Sequence, residues 1–488
     1  MKFIFTLLLA FLSLSMNAQS NDFSTMIHDN YSKYKEESLK NRRIKHDDIR
    51  PLINKLKNNL LYEVQKVGES IKGKSINLIS IGTGDIDVLL WSQMHGDEPT
   101  ATQAIFDIFN FLNSDDLKAE KNEILSQLTL HFIPMLNPDG AEVFSRRNAL
   151  GIDINRDALR LQSPEGQVLK RIRDSLNADF GFNLHDQSSY YNAERTSKPA
   201  TISYLAPAYN YEKDTNDIRS DAMKIIVFMN NILQKYIPGQ VARYNDDFEP
   251  RAFGDNFQKW GTSTILIESG GFKNDVEKQE IRKLNYVSIL AAIYAIANKN
   301  YKDISIPDYE KIPYNDRKLF DLKIKNFTLK FHENEYRLDL GINHQEIEDK
   351  NHKTFYNIGK IVDKGDLSTF YGYKTIDAIG YRLLKGKVYP DTIQSMKDLK
   401  SMNIYELLKS GYTYIRLVKH KQKDKAVYIP INILSKDQKK PEFNLNIDNN
   451  PNFVLKKNGN IDYAIINGFV IDLINKQTSL KNALFYKD

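Results

Sequence analysis

Two hydrophobic periods alternate along roughly the first 300 residues and outline the architecture before any single side chain is considered. Runs of strand character occupy Tyr62–Val67, Ser75–Gly82, Asp87–Gln93, the apolar part of His131–Gly140, Asp179–Asp186 and Ser263–Gly271. Between them, Thr100–Leu112, Ser163–Leu176, Met223–Leu233 and Asn285–Lys299 carry apolar residues at helical spacing. Pro99 and Pro164 stand where a first helical turn accepts proline. This alternation predicts an α/β fold with helices on both faces of a largely parallel sheet. Residues 21–60 are polar and lysine-rich with helically spaced apolar positions, which predicts one or two surface helices ahead of the domain proper.

Near residue 300 the pattern changes. Leu322–Asn343 alternates in strand fashion about a polar Glu333-Asn334 turn, and Tyr412–Val418, Lys425–Ile431 and Ile461–Ile474 read as further strands. We place a boundary at about residue 305, with a domain over 19–305 and a smaller β-rich accessory domain over 306–488. The aromatic- and glycine-rich stretch Asp363–Tyr381 reads as a packed edge of that second domain.

Composition narrows the chemistry. Residues 1–18 run from Lys2 through an apolar stretch to Ser-Met-Asn-Ala, the pattern of a cleaved secretory signal, so export to a periplasmic or extracellular space is expected. The apolar run is shorter than the roughly 20 residues that cross a bilayer, so no integral membrane segment is expected once the signal is removed. There is no cysteine, which excludes disulfides, thiolate nucleophiles and cysteine-held zinc. Basic and acidic residues are scattered rather than blocked, leaving a formal charge of +6 that gives no reason to expect nucleic acid as a partner.

Several strand-like runs end on residues that can hold or serve a metal. His95-Gly96-Asp97-Glu98 follows one strand, His185 ends another, and Glu268 follows three aliphatic residues in a third. Ligands of open α/β sheets bind outside the carboxyl ends of the strands, so these side chains can meet. Two histidines and a carboxylate form a recurring catalytic zinc set, with a position left for water. That leaves Glu268 as a base. His131, inside a strand, reads as structural. Between these motifs lies Asn137-Pro138-Asp139-Gly140, turn chemistry, and then Arg146, Arg147, Asn148, Asp153, Asn155 and Arg156, a cluster suited to gripping a carboxylate. Gly68–Ser75 fits the phosphate-loop spelling, but strand-forming residues follow it where a helix is required, so it reads as a hairpin turn.

Taken together, His95-x-x-Glu98, the NPDG turn, Asp153-x-Asn155-Arg156, His185 and Glu268 resemble the zinc carboxypeptidase family, the M14 metallopeptidases, over about residues 60–295. The resemblance implies a mixed sheet of about eight strands between helices. It also implies one Zn2+ per chain on His95, Glu98 and His185, with Glu268 as general base and Asp153 orienting a zinc-bound histidine. Asn155 and Arg156 would grip the terminal carboxylate, and Arg146, favoured over Arg147, would hold the oxyanion. The capping tyrosine is unassigned, Tyr244 being the nearest candidate, and the specificity segment with Arg251, Phe253 and Asp255 names no substrate. The expectation is an exported metallocarboxypeptidase acting on peptides with a free C-terminal carboxylate. A cell-wall peptide amidase or peptidase, an N-acyl amino-acid deacylase and a non-catalytic peptide-binding protein are the competing readings.

Overall fold

The computed structural model describes residues 22–419 and 425–487. The expected export signal over 1–18 lies outside them. The chain divides into two compact units, Met1–Arg317 and Lys318–Asp488. The division falls beyond the expected residue 305, because helix Pro307–Glu310 and strand Asn315–Asp316 belong to the first unit, where Asn315 pairs with Ala193.

The first unit is built on eight strands: β1 (Glu63–Glu69), β2 (Ser75–Gly82), β3 (Ile86–Ser92), β4 (Leu128–Ile133), β5 (Phe180–Asp186), β6 (Ile202–Leu205), β7 (Val241–Arg243) and β8 (Ser263–Ser269). Their order across the sheet is β1-β2-β4-β3-β5-β8-β6-β7. The central run β4-β3-β5-β8 is parallel and antiparallel pairs flank it, as expected of a mixed, largely parallel sheet.

Side chains of a strand alternate between faces, and β3 shows what each face receives. Val88 and Leu90 join one core with helices α1 (Thr100–Asn113), α2 (Asp217–Leu233) and α3 (Gln279–Ala297), whereas Leu89 and Trp91 join a second with Val168, Leu169, Phe253 and Phe257. Burying one Leu or Phe side chain is worth about 1.5–3 kcal/mol, so a one-residue slip of β3 would forfeit both cores. The alternation therefore dictates which residues reach the carboxyl edge, and on which side.

The N-terminal segment departs from its expected surface position. Phe23, Ile27, Tyr31, Tyr34, Leu39 and Ile44 are buried in the main core. A fully buried ion pair holds them: Arg282 donates to Asp107 through Nε (2.7 Å) and Nη2 (2.5 Å), and to the carbonyls of Leu39 and Glu36. Asp107 in turn accepts from the Tyr31 hydroxyl and the Glu36 amide.

The turn between β1 and β2 is the Gly68–Ser75 segment, as its strand-forming sequel required. Asp139 of the NPDG turn accepts from Ser70 Oγ and the Lys72 amide, so that motif anchors the hairpin.

The second unit, Lys318–Asp488, is β-rich, with a nine-stranded and a five-stranded sheet among its described residues. Its long hairpin Leu319–Phe331/Asn334–Glu348 pairs Phe331 with Asn334. The turn is thus His332-Glu333, one residue earlier than expected, with His332 in the left-handed region at φ 52°. Within Asp363–Tyr381, Tyr371–Asp377 forms a strand paired with Leu319–Phe331. Buried asparagines knit the unit: Asn452 accepts from Asn432 Nδ2 and the Asn467 amide, and Asn467 Nδ2 donates to the carbonyls of Asn357 and Asn482.

Candidate metal centre

His95 and Glu98, in the loop after β3, converge with His185 at the carboxyl end of β5. Glu98 takes His95 Nδ1 on Oε1 (2.8 Å) and His185 Nδ1 on Oε2 (2.7 Å), and the two ring nitrogens are themselves 3.2 Å apart. One ligand-capable atom from each residue lies within 4.8 Å of the others, and all three residues are buried. Gly96 makes the bend after β3 possible: a Cβ there would sit 2.0 Å from the Gly140 carbonyl carbon, so the HGDE loop packs directly on the NPDG turn.

Electrostatics tie the cluster together. Burial favours the neutral form of Glu98, yet the His95 and His185 rings hold its carboxyl well below the usual carboxylate range. Burial likewise opposes a charged His95, but Glu98 and Asp153 bring it up to about 9, whereas for His185 burial wins and its pKa falls. A carboxylate and two imidazole nitrogens this close together are able to share a cation. The donor set, two imidazoles and a carboxylate without thiolate, fits zinc. Asp153 Oδ1 lies 3.1 Å from His95 Nε2, the outer partner that fixes a ligand ring's tautomer and orientation.

Residues 52–230 match the family model described as Zinc carboxypeptidase. Over this segment the chain is similar to zinc carboxypeptidases. Similar proteins include carboxypeptidase SOL1 of Arabidopsis thaliana, 31% identical over 176 residues that make up 30% of this chain and 35% of that protein. Carboxypeptidase E of Caenorhabditis elegans is 28% identical over 124 residues, 21% of this chain and 26% of that protein. The chain thus spans about a third or less of the length of these relatives. Among solved structures, a metallo-carboxypeptidase from Burkholderia cenocepacia aligns over 52% of this chain and 69% of its own at 15% identity, with a TM-score of 0.43.

The matched segment and the residues after it bring most of the expected set to one place. Arg146 donates through Nε to Asp153 Oδ2 (3.0 Å), and its Nη1 lies 3.2 Å from Glu98 Oε1. Arg147 instead donates to the Gly151 carbonyl and is exposed, so the structure separates the two arginines. Asn148 serves its own loop, accepting from the amides of Leu150 and Ile152. Asn155 donates its amide N–H to Asp153 and accepts from the Phe253 amide with Oδ1. Glu268 of β8 is the cross-strand neighbour of His185 and is partly exposed. Burial, then the negative Glu98, push its carboxyl well above the usual range.

Further contacts and charges around the site emerge only from the fold. Glu249 Oε2 pairs with Arg156 Nε at 3.3 Å and with Arg251 Nη2 at 2.9 Å, so the guanidinium expected to meet substrate holds an internal carboxylate. Tyr244 packs near Tyr191, and its hydroxyl is pushed up by burial and by the charge of Glu268. Burial raises Asp97 to about 6 and Asp255 to about 7. Tyr244 was recognisable as a candidate by position; the Glu249 contact carries no local signal because it spans a separation set only by folding.

Proposed function

We propose that this chain is an exported zinc carboxypeptidase that removes the C-terminal residue of peptides. The observation that carries the reading is the convergence of His95, Glu98 and His185 with Glu268 alongside and the Asp153-Ile154-Asn155-Arg156 turn hydrogen-bonded to His95. The N-terminal sequence pattern supports export, which recovery of a chain trimmed after about residue 18 outside the cytoplasm would test.

His95, Glu98 and His185 would hold zinc, which when bound would supply a Lewis acid to polarise a carbonyl and acidify water. Glu268 accepts a proton from the attacking water and delivers it to the leaving amine. Arg146, steered by Asp153, offers its guanidinium edge to the developing oxyanion. Arg156 and the Nδ2 group of Asn155, whose Oδ1 is committed to Phe253, bind the terminal carboxylate. That selects substrates with a free C-terminus. Tyr244, whose hydroxyl responds to the charge of Glu268, is the candidate to cover the bound residue.

Stripping zinc with a chelator is expected to abolish cleavage of blocked dipeptides, and stoichiometric zinc to restore it. The decisive assay incubates zinc-loaded protein with a peptide mixture and with muropeptides, followed by mass spectrometry. Single-residue losses from C-termini establish the proposal. Cleavage confined to muropeptides replaces it with wall-peptide hydrolysis, and zinc binding without cleavage of either favours a deacylase or a binding protein. Because Glu249 competes for Arg156, Glu249→Gln is expected to lower KM by about two- to fivefold, the size of a partly exposed ion pair, as measured by initial rates.

A further inference from the structure

The metal centre faces one side of the sheet, and a second polar knot lies behind it. Asp186 follows His185 on β5, so alternation turns its side chain to the opposite face. There its Oδ2 accepts from Thr100 Oγ1 (2.5 Å) and from Lys278 Nζ (3.1 Å), while Oδ1 is buried without a hydrogen-bond partner. Lys278 Nζ also donates to the carbonyl of Ser269 at 2.9 Å. The groups that gather around Lys278 are chain neighbours of the centre: Asp186 follows His185, Ser269 follows Glu268, and Thr100 lies two residues after Glu98. The Asp186 amide itself donates to Glu98 Oε2 at 3.2 Å.

Lys278 holds this place against its backbone preference. It precedes α3 at φ 51°, in the left-handed region that favours glycine, and its side chain is only 12% exposed. A strained, nearly buried lysine persists where the surrounding structure over-determines it. Its ammonium is the group that both strand ends use. The proposed mechanism assigns it no role, and it touches neither the metal ligands nor the expected base.

We propose that Lys278 is a positioning residue, whose ammonium staples the ends of β5 and β8 through Asp186 and Ser269 and thereby sets His185, Glu98 and Glu268 relative to one another. The inference rests on the proposed carboxypeptidase reading for its kinetic consequence, but not for its consequence on zinc binding. Partners behind metal ligands commonly control affinity or activity by about 10- to 100-fold. Lys278→Met keeps the length and removes the charge; Lys278→Arg keeps the charge; and Lys278→Met with Asp186→Asn removes both charges, which avoids stranding a buried carboxylate should the single variant fail to fold.

The experiment measures zinc dissociation by competition with a chromophoric chelator, kcat and KM on blocked dipeptides, and the melting temperature of the full chain. Expected for Lys278→Met are zinc binding weakened by about tenfold or more and kcat reduced similarly with KM within about twofold, with substantial recovery in Lys278→Arg. The double variant should fold yet remain impaired in zinc affinity, because the staple is absent. Wild-type zinc affinity in either Met-containing variant overturns the proposal, as does a loss in Lys278→Arg equal to that in Lys278→Met. Failure of the wild-type protein to cleave any peptide would sink the carboxypeptidase reading alone, since the zinc competition still reads the staple.

Discussion

Glu268→Gln is expected to bind zinc as wild type does while its kcat falls by about a hundred- to ten-thousandfold, the usual worth of a positioned general base. The substitution is nearly isosteric and removes only the capacity to take and return a proton. None of the contacts among His95, Glu98 and His185 involves Glu268, so the ligand set stays whole. The stability side has a definite sign. Burial and the charge of Glu98 raise the Glu268 carboxyl well above its ordinary value, so in the metal-stripped protein its ionisation opposes folding, increasingly as pH rises through the unfolded value. Glutamine removes that penalty. The metal-stripped variant should therefore melt at or above the wild-type temperature at neutral pH. Retained turnover in a well-folded, zinc-loaded variant would refute the assigned base. A lost zinc site would instead show that Glu268 supports the metal.

The largest stability effect is expected at Asp107, remote from the chemistry. Asp107 and Arg282 are both completely buried and joined by two hydrogen bonds. Asp107→Ala leaves the guanidinium inside the core with its carbonyl partners but no counter-charge, a change that costs about 3–5 kcal/mol when a buried pair is broken. The loss should be read as a lower denaturation midpoint in urea. It should also be local: the Tyr31–Leu39 stretch is held through Tyr31, Glu36 and Leu39 by this pair, so limited proteolysis should cut there first. Replacing both partners, Asp107→Leu with Arg282→Met, should recover much of the stability, since apolar pairs of similar volume often substitute without penalty. A single-variant loss below about 1 kcal/mol would mean that water enters and solvates Arg282.

The family resemblance also makes a limited statement about the whole protein. It covers residues 52–230, and Glu268 and the second unit lie beyond that match. The role of Glu268 therefore rests on its register opposite His185 and on its charged surroundings. The second unit has its own sheets and its own asparagine network, and no activity is assigned to it.

Much of the first unit was legible because each signal was local. Strand runs, helical spacing and the motifs HGDE, NPDG and FNLHD identify their elements by the period of the apolar residues and by turn chemistry. The metal set and the base could be read from three strand ends because ligands of α/β sheets gather at one edge, and alternation then decides which face each residue takes. The second unit was less legible: its hairpin turn was misplaced by one residue, since His332 adopts a left-handed conformation that its residue type does not announce.

What the sequence by itself determined is the alternation of elements, the identity of the metal-ligating residues and the chemistry each can perform, all properties of residue type and spacing. Only the tertiary structure decided which arginine faces the centre, that Glu249 occupies Arg156, that the N-terminal segment is core rather than appendage, and that Lys278 ties two strand ends. The reason is physical. These outcomes depend on contacts between residues far apart in the chain, where packing and the cost of an unpaired buried charge select one arrangement from many that local sequence allows equally.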